Sequence, residues 1–273
     1  MSDGIFQKLG SFVEETTGIK MPPSKKTMLE GRLRKRLRVL EIAGFKEYCD
    51  YVLSQKDGGA ELVHMLDAVT TNKTDFFREP THFDYLTRTV LPRLQQVHGS
   101  GGRLNLQAWS AGCSTGEEPY TLAMVLNEFA LQQSGFSFSV SATDLSTRVL
   151  EKAISGVYDE EKIAPVPMPL RRKYLLRSKD RTRQTVRIVE ELRSKISFGR
   201  LNFMDRNFTM KKMHFIFCRN VIIYFDRATQ EKLLNKFCKH LVPGGYIFMG
   251  HSETLSGLNV PLVQVEPTVY VLQ

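Results

Sequence analysis

The spacing of apolar residues changes near position 70. Before it, apolar residues recur every three or four positions, as on one face of a helix. We expect Gly18 and Gly44 to end the first two helices and Ser24 to cap the second. The predicted helices cover 5–17, 24–42, 45–54 and 60–69. Residues 1–70 are therefore predicted to form a small N-terminal helical domain, and the buried stripe of its second helix comprises Leu29, Leu33, Leu37 and Leu40.

Short apolar runs alternate with helical patterns over residues 71–273. A predicted helix at 83–91 ends at Pro92, and another at 227–240 follows the cap Asp226. Strands are predicted at 104–109, 136–142, 214–217, 246–250 and 268–272. This alternation is typical of an α/β fold with a mostly parallel sheet. Three prolines and the alternating run 185–189 interrupt it, and we expect a small antiparallel β insertion at about 157–200 that includes a strand at Ile196 and Phe198.

The segment 104–121 reads as a buried strand, a loop of small residues and the first turn of a helix. Such a unit forms a ligand crevice at the carboxyl end of a strand. The loop lacks Gly-x-Gly-x-x-Gly and a following Lys-Ser/Thr pair, which argues against dinucleotide and triphosphate sites. Its carboxylates, Glu117 and Glu118, would repel a polyphosphate and attract a cationic ligand such as S-adenosylmethionine. An equally good explanation is that these acids merely complement the helix dipole and bind no ligand.

Other polar residues fall at the predicted strand ends. Asp144 follows the second strand, where a carboxylate commonly binds ribose hydroxyls, although it could instead cap the helix at 145–154. Arg219 and Asn220 follow the strand at 214–217. The polar and aromatic segment 72–80 could direct Asn72, Thr74 and Arg78 at a ligand, but its pattern alone favours a plain interdomain linker.

The excess of basic residues along the chain indicates an acidic partner. The 273 residues include 38 Lys and Arg against 29 Asp and Glu, a formal net charge of +9, which suits nucleic acid, an anionic membrane or an acidic protein. The helix Lys25–Arg38 has a strongly basic face, made of Lys25, Lys26, Arg32, Arg34, Lys35, Arg36 and Arg38. The insertion carries a second basic set, made of Arg171, Arg172, Lys173, Arg177, Lys179, Arg181 and Arg183.

Composition narrows the class of protein further. No apolar run reaches the roughly 18 residues of a membrane span, and the N-terminus does not resemble a signal peptide, so we expect a cytoplasmic protein. Cys49, Cys113, Cys218 and Cys238 form no Cys-x-x-Cys pair. We therefore expect neither a metal site nor a disulfide framework.

Several long strings occur together and in order. They are Asn72-x-Thr74-x-Phe76-Phe77-Arg78-Glu79, Trp109-Ser110-Ala111-Gly112-Cys113-Ser114-Thr115-Gly116-Glu117-Glu118-Pro119-Tyr120, Ala142-Thr143-Asp144, Asn202-Phe203, Phe217-Cys218-Arg219-Asn220-Val221-x-Ile223-Tyr224-Phe225 and Gly250-His251-Ser252-Glu253. With these strings the chain resembles the CheR-type chemotaxis receptor glutamate methyltransferases over nearly its whole length. The resemblance implies a Rossmann-like class I methyltransferase sheet with a small antiparallel β insertion, preceded by the helical domain.

The same resemblance implies the chemistry. Methyl groups would pass from S-adenosyl-L-methionine to glutamate side chains of membrane chemoreceptors, giving methyl esters and S-adenosyl-L-homocysteine, as in chemotactic adaptation. Arg78 and Tyr224 would lie nearest the methyl group. Cofactor contacts are implied for Asn72, Thr74, Arg78, Glu117, Asp144, Asn202, Phe203, Arg219 and Asn220. A glutamate is ionised at neutral pH and needs no general base, which fits the lack of a convincing Ser/His/Asp or Cys/His set.

The resemblance also implies partners. The basic helix Lys25–Arg38 would dock the acidic methylation helices in the cytoplasmic part of the receptors. Some relatives bind a receptor pentapeptide through a Gly-x-Gly element in the insertion. The corresponding stretch here, 177–184, has no glycine, so we do not expect a pentapeptide tether. We further expect a monomer that binds no nucleic acid and does not insert into membranes.

Two other functions use the same features. A nucleic-acid methyltransferase could combine this cofactor site with the basic helix. A non-catalytic module could sense the cofactor and dock on acidic proteins. The chemical nature of the methylated product, or its absence, distinguishes all three.

Overall fold

A computed structural model describes residues 1–54, 59–180, 182–206 and 209–273. The chain begins with four helices around their own core, which are α1 (Asp3–Thr17), α2 (Lys26–Val39), α3 (Phe45–Ser54) and α4 (Ala60–Val69). Gly18 ends α1 in the left-handed conformation, as predicted. Ser24 does not cap α2: a 3-10 turn at Pro23–Lys25 precedes this helix, which ends at Val39 before Glu41 adopts a positive φ. In the stripe of α2, Leu29, Leu33 and Leu37 are buried, and Leu40 is half-buried.

The basic side chains of α2 do not all face solvent. Arg32 donates through Nη1 to the carbonyls of Val69 and Thr70, both at 2.8 Å, at the end of α4. Arg36 binds the buried carboxylate of Glu61, with Nε 3.0 Å from Oε1. The predicted basic face is therefore wrong at these two positions, because both guanidiniums satisfy polar groups inside the helical bundle.

Pro92 does not end the helix that follows. The helix continues as α5 (Pro80–Tyr85), a π-helical segment (Leu86–Val90) and α6 (Leu91–His98). Within this segment the N–H of Leu91 bonds the carbonyl of Leu86, five residues back. The wider turn accommodates the missing N–H of Pro92, so the predicted stop at this residue is wrong.

Seven strands form the main sheet, in the order β6-β2-β1-β7-β8-β10-β9. The first five run parallel, and β10 and β9 close the edge in antiparallel fashion. Their bounds in chain order are β1 (Leu104–Ala111), β2 (Phe136–Asp144), β6 (Ile196–Arg200), β7 (Met213–Cys218), β8 (Leu241–Met249), β9 (Leu262–Glu266) and β10 (Val269–Leu272). The covering helices include α7 (Glu117–Gln132), α8 (Thr147–Ser155) and α11 (Arg227–His240), the last capped by Asp226 as predicted. β9 was not predicted from the sequence.

A second, antiparallel sheet of three strands has the order β3-β5-β4. Its strands are β3 (Val157–Asp159), β4 (Leu175–Arg177) and β5 (Thr185–Ile188), with the short helices α9 (Met168–Tyr174) and α10 (Glu190–Arg193) beside them. The strand at Ile196 and Phe198 does not belong to this insertion, because β6 pairs in parallel with β2 in the main sheet. Arg181 of the basic set lies outside the described residues.

The loop after β1 turns sharply at two glycines. Gly112 has φ +88° and Gly116 has φ +96°, a conformation that L side chains rarely adopt. A Cβ on Gly112 would also lie 2.6 Å from a methyl group of Val221, and one on Gly116 would lie 2.7 Å from the hydroxyl of Tyr158. Small residues are therefore required where the strand turns into α7. Within the described residues, no helix combines the length and apolar character needed to cross a bilayer.

Candidate active site

A cavity of about 420 Å³ opens beyond the carboxyl ends of β1, β2 and β7. Residues of the N-terminal helical domain close its other side, among them Thr17, Ile19 and Lys25. This volume lies in the range of small-molecule sites. The predicted site residues that line it are Asn72, Thr74, Arg78, Asp144, Asn202, Phe203, Arg219, Asn220 and Tyr224.

Asp144 lies at the tip of β2 with its carboxylate fixed by two backbone N–H groups. Oδ2 accepts from Ser114 at 2.8 Å, and Oδ1 accepts from Ser146 at 2.9 Å. Burial raises the pKa of Asp144, and these hydrogen bonds oppose the rise. Ser146, not Asp144, caps α8. Each carboxylate oxygen retains a lone pair, so the side chain can still accept hydroxyl groups of a ligand.

The two glutamates that begin α7 point in different directions. Glu117 is 1% exposed, accepts from the Thr115 hydroxyl at 2.6 Å and is absent from the cavity lining. Glu118 lines the cavity and accepts from Ser110 Oγ and Arg219 Nε, both at 2.7 Å. Residues adjacent on a helix lie about 100° apart, and here only Glu118 is turned towards the crevice. The structure thus places Glu118 in the cavity lining, whereas Glu117, the predicted contact, is not part of it.

Arg219 is the centre of a buried polar network. Its Nη1 donates to the carbonyl of Arg78 at 2.6 Å and lies 3.4 Å from His82 Nδ1. Burial, with Arg219 next in importance, lowers the pKa of His82 to about 3, so this imidazole is neutral and able to accept. The guanidinium carbon also lies 5.4 Å and 5.3 Å from the ring centroids of Phe83 and Phe217. Arg219 is therefore held in one position beside the cavity.

The segment 72–80 forms a wall of the cavity and not a plain linker. Phe76 is 1% exposed and packs edge-on against Tyr158, with ring centroids 4.9 Å apart. The carbonyl of Asn72 accepts from Ser114 Oγ at 3.0 Å, which joins this segment to the loop after β1. Arg78 donates to the carbonyl of Lys73 at 3.1 Å. The buried aromatic anchor leaves the polar side chains of this segment facing the cavity.

A tight turn after β7 completes the site, and Glu253 fixes it. The carboxylate of Glu253 accepts the N–H groups of Asn220, Val221, Ile223 and Gly250 at 2.6–3.4 Å. Asn220 has φ +60°, and its Oδ1 is buried without a hydrogen-bond partner among the described residues. A buried acceptor without a partner in a cavity wall is available to a ligand that donates a hydrogen bond.

The N-terminal helices also fix the cavity wall at Asn202. Its Nδ2 donates to the carbonyl of Thr16 at 2.7 Å, which joins the end of α1 to the segment before β7. The sequence pattern did not distinguish Glu118 from Glu117, and it gave Ser114 and Glu253 no role in the site. Glu253 belongs to the string Gly250-His251-Ser252-Glu253, but it carries no pattern that reveals its role.

Glu79, His82 and His251 could bring ligand atoms within 4.8 Å of one another. However, Nη1 of Arg219 lies 3.5 Å from Glu79 Oε2. The guanidinium already supplies positive charge there, and its presence disfavours a metal ion.

Comparisons with known proteins agree with this architecture. The family described as CheR methyltransferase, SAM binding domain matches residues 72–271, and the CheR methyltransferase all-alpha domain matches residues 5–70. A chemotaxis protein methyltransferase of Borreliella burgdorferi is 39% identical over 267 residues, covering 96% of this chain and 92% of that protein. That of Escherichia coli is 36% identical and covers 100% and 92%, respectively.

Among solved structures, PKMT2 from Rickettsia typhi in complex with AdoHcy aligns with a TM-score of 0.38 and 15% identity. The alignment covers 66% of this chain and 26% of the PKMT2 chain. Together, the two matched family domains span nearly the whole sequence, and the matched catalytic domain binds S-adenosylmethionine. The chain belongs to the CheR methyltransferase family.

Proposed function

We propose that this protein transfers methyl groups from S-adenosylmethionine to glutamate side chains of chemoreceptors, forming methyl esters and S-adenosylhomocysteine. The observation that carries the proposal is one cavity lined both by acids suited to a cationic cofactor and by Arg78 and Tyr224. The names of the relatives, chemotaxis protein methyltransferases, support the same substrate class.

The cavity residues fit the cofactor. Asp144 would accept hydrogen bonds from the ribose hydroxyls. Glu118 and Arg219 would bind the amino and carboxylate groups, respectively, and Asn220 Oδ1 would accept a hydrogen bond from the ligand. Asn72, Thr74, Asn202 and Phe203 would complete the walls. S-adenosylmethionine, when bound, supplies an electrophilic methyl group: a carboxylate oxygen forms the new bond to carbon while the sulfur–carbon bond breaks and leaves its electron pair on sulfur.

The chain's own residues would provide positioning. Arg78 would steer the incoming carboxylate, and Tyr224 would fix the geometry at the methyl group. A glutamate, with an ordinary pKa of about 4.3, arrives already ionised, so no side chain has to remove a proton. Orientation and exclusion of water can lower such a barrier by roughly 7–11 kcal/mol.

The docking face would be smaller than the sequence pattern indicates. With Arg32 and Arg36 used inside the bundle, Lys35 and Arg38 are exposed and have no ion pair among the described residues. Arg34 is exposed and pairs with Glu30. This row of α2 would bind the acidic helices of a receptor through charge complementarity.

Transfer of a radiolabelled methyl group from S-adenosylmethionine to receptor-rich membranes tests the proposal. Glutamate methyl esters release volatile labelled methanol in mild alkali. Label that stays with nucleic acid as a non-volatile product would support the nucleic-acid alternative. Binding of S-adenosylhomocysteine without transfer to any receptor would support the non-catalytic alternative.

A further inference from the structure

Lys25 places an ammonium group at the cavity. It comes from the N-terminal helical domain, whereas the predicted site residues belong to the methyltransferase domain. It belongs to the 3-10 turn that precedes α2, yet it lines the cavity together with Tyr224. Its Nζ lies 5.5 Å from the centroid of the Tyr224 ring. The helical domain therefore contributes a cation next to one of the two residues proposed to act at the methyl group.

The backbone of Lys20 forms hydrogen bonds with both Tyr224 and Lys25. Its N–H donates to the carbonyl of Tyr224 at 2.9 Å, and its own carbonyl accepts from Lys25 Nζ at 2.7 Å. The same residue thus anchors the backbone of Tyr224 and the side chain of Lys25. Two of the three ammonium N–H bonds remain for a ligand.

The charge on Lys25 is poorly compensated. In the part of the chain that the structure describes, no carboxylate lies within salt-bridge distance of its Nζ, whereas the neighbouring Lys26 pairs with Asp3 at 2.5 Å. Burial lowers the pKa of Lys25, and the more distant Glu14 opposes the shift while Arg32 adds to it. A half-buried cation that has no carboxylate within salt-bridge distance attracts an anion more strongly than one in open solvent does.

We infer that Lys25 is a specificity-determining residue that selects an ionised carboxylate as the methyl acceptor. This inference rests on the proposed function. Lys25 would bind one carboxylate oxygen and leave the other free to attack the methyl group. A glutamine in the same position lacks the negative charge, and the methyl ester has lost it. Lys25 therefore favours glutamate over glutamine and releases the esterified product.

Binding to the protein loaded with S-adenosylhomocysteine tests this selection without turnover. The probe is a soluble acidic coiled-coil fragment of a chemoreceptor with a single methylation position, prepared with Glu or Gln there. We expect wild type to prefer the Glu form by about tenfold, the usual effect of one hydrogen bond to a charged group. Lys25→Met should lose most of this preference, because only Arg78 would then attract the carboxylate, and Lys25→Arg should retain most of it.

Lys26→Met is the matched control, because it removes the same charge one residue away and outside the cavity lining. Lys26→Met should weaken binding of the Glu and Gln forms equally and keep the preference for the Glu form. A Lys25→Met protein that prefers the Glu form as strongly as wild type does overturns the inference, as does a Lys26→Met protein that loses the preference. If wild type methylates the Glu form but Lys25→Met prefers that form as strongly as wild type does, the proposed function stands and the inference about Lys25 fails. If wild type forms no alkali-labile ester on the Glu form, both fail.

Discussion

The carboxylate of Glu253 accepts the backbone N–H of Asn220 at 2.8 Å, across a separation of 33 residues in sequence. Its two oxygens receive three further N–H groups of the neighbouring turns. Burial raises the pKa of Glu253, and these hydrogen bonds oppose that rise. The side chain therefore sets the turn that directs Asn220 and Tyr224 to the cavity, although it does not line the cavity itself.

Glu253→Gln should weaken binding of S-adenosylhomocysteine about tenfold. The amide offers one acceptor oxygen and directs an NH₂ group at backbone donors, and each buried donor left unpaired costs about 1–3 kcal/mol. Calorimetry measures the affinity. Glu266→Gln, on the exposed edge strand β9, is the control and should match wild type. Unchanged affinity in Glu253→Gln would show that the turn is fixed by other contacts.

Glu118 and Glu117 should differ in cofactor binding. Glu118→Gln removes the charge that pairs with Arg219 at the cavity, and we expect at least a tenfold loss of affinity for S-adenosylhomocysteine. Glu117→Gln should change that affinity less than about threefold, because its carboxylate faces Thr115. The two titrations are directly comparable. The reverse order of effects would restore the interpretation made from the sequence.

These two residues mark the limit of sequence reasoning at the site. The pattern located the loop, the helix start and Asp144, because small residues, an apolar strand and a terminal carboxylate each have a local cause. Which of two adjacent glutamates faces the crevice depends on the rotation of α7 against the sheet. Long-range pairings such as Glu253 with Asn220 leave no periodic signal at all.

The fold shows the same division between local and distant causes. The helix bounds 45–54 and 60–69 were predicted correctly from spacing alone. The strand at Ile196–Arg200 was assigned to the wrong sheet, because a strand's own residues do not specify its neighbour. Pro92 was read as a stop because a local rule cannot anticipate that the preceding turn widens.

Tyr224→Phe should separate turnover from binding. The hydroxyl group is proposed to act only where the methyl group is transferred, so kcat should fall about 100-fold, as for loss of one positioned donor. The dissociation constant for S-adenosylhomocysteine should stay within about threefold. Tyr51→Phe, at an exposed position on α3, should change neither quantity. Equal losses in both quantities for Tyr224→Phe would contradict the proposed role.

His214 should make the stability of the fold depend on pH. It accepts the N–H of Gln107 through Nδ1 at 2.9 Å, and burial lowers its pKa to about 4. An unfolded chain protonates this residue below about pH 6.5. The stabilisation is therefore complete above that pH and is lost as the pH falls towards 4, reaching a loss of about 2 kcal/mol at pH 5.

His214→Gln removes this titration. The difference in unfolding free energy between wild type and variant, measured in urea, should shrink by about 2 kcal/mol from pH 8 to pH 5. Because both proteins share all other titrating groups, the comparison isolates His214. A difference that is the same at both pH values would mean that the imidazole titrates equally in the folded and unfolded states.

Arg36 and Arg38 lie two residues apart on α2 but should behave oppositely when changed to Met. Arg36 pairs with Glu61, which is 3% exposed and also accepts from Tyr48 at 2.8 Å. Arg36→Met leaves that carboxylate without its cation, so the unfolding free energy should fall by about 3 kcal/mol. Arg38 is exposed, and its replacement should change stability by less than about 0.5 kcal/mol.

Arg38→Met should instead raise KM for a receptor acceptor severalfold at low ionic strength. The increase in KM should fade near 0.5 M salt, because charges more than about 5 Å apart are screened there. Steady-state transfer at two salt concentrations measures this. An unchanged KM at low salt would remove Arg38 from the docking face. Arg36 pairs with a buried acid, whereas Arg38 faces solvent. The surface that an acidic helix meets is therefore defined by the orientation of each side chain and not by the number of basic residues on α2.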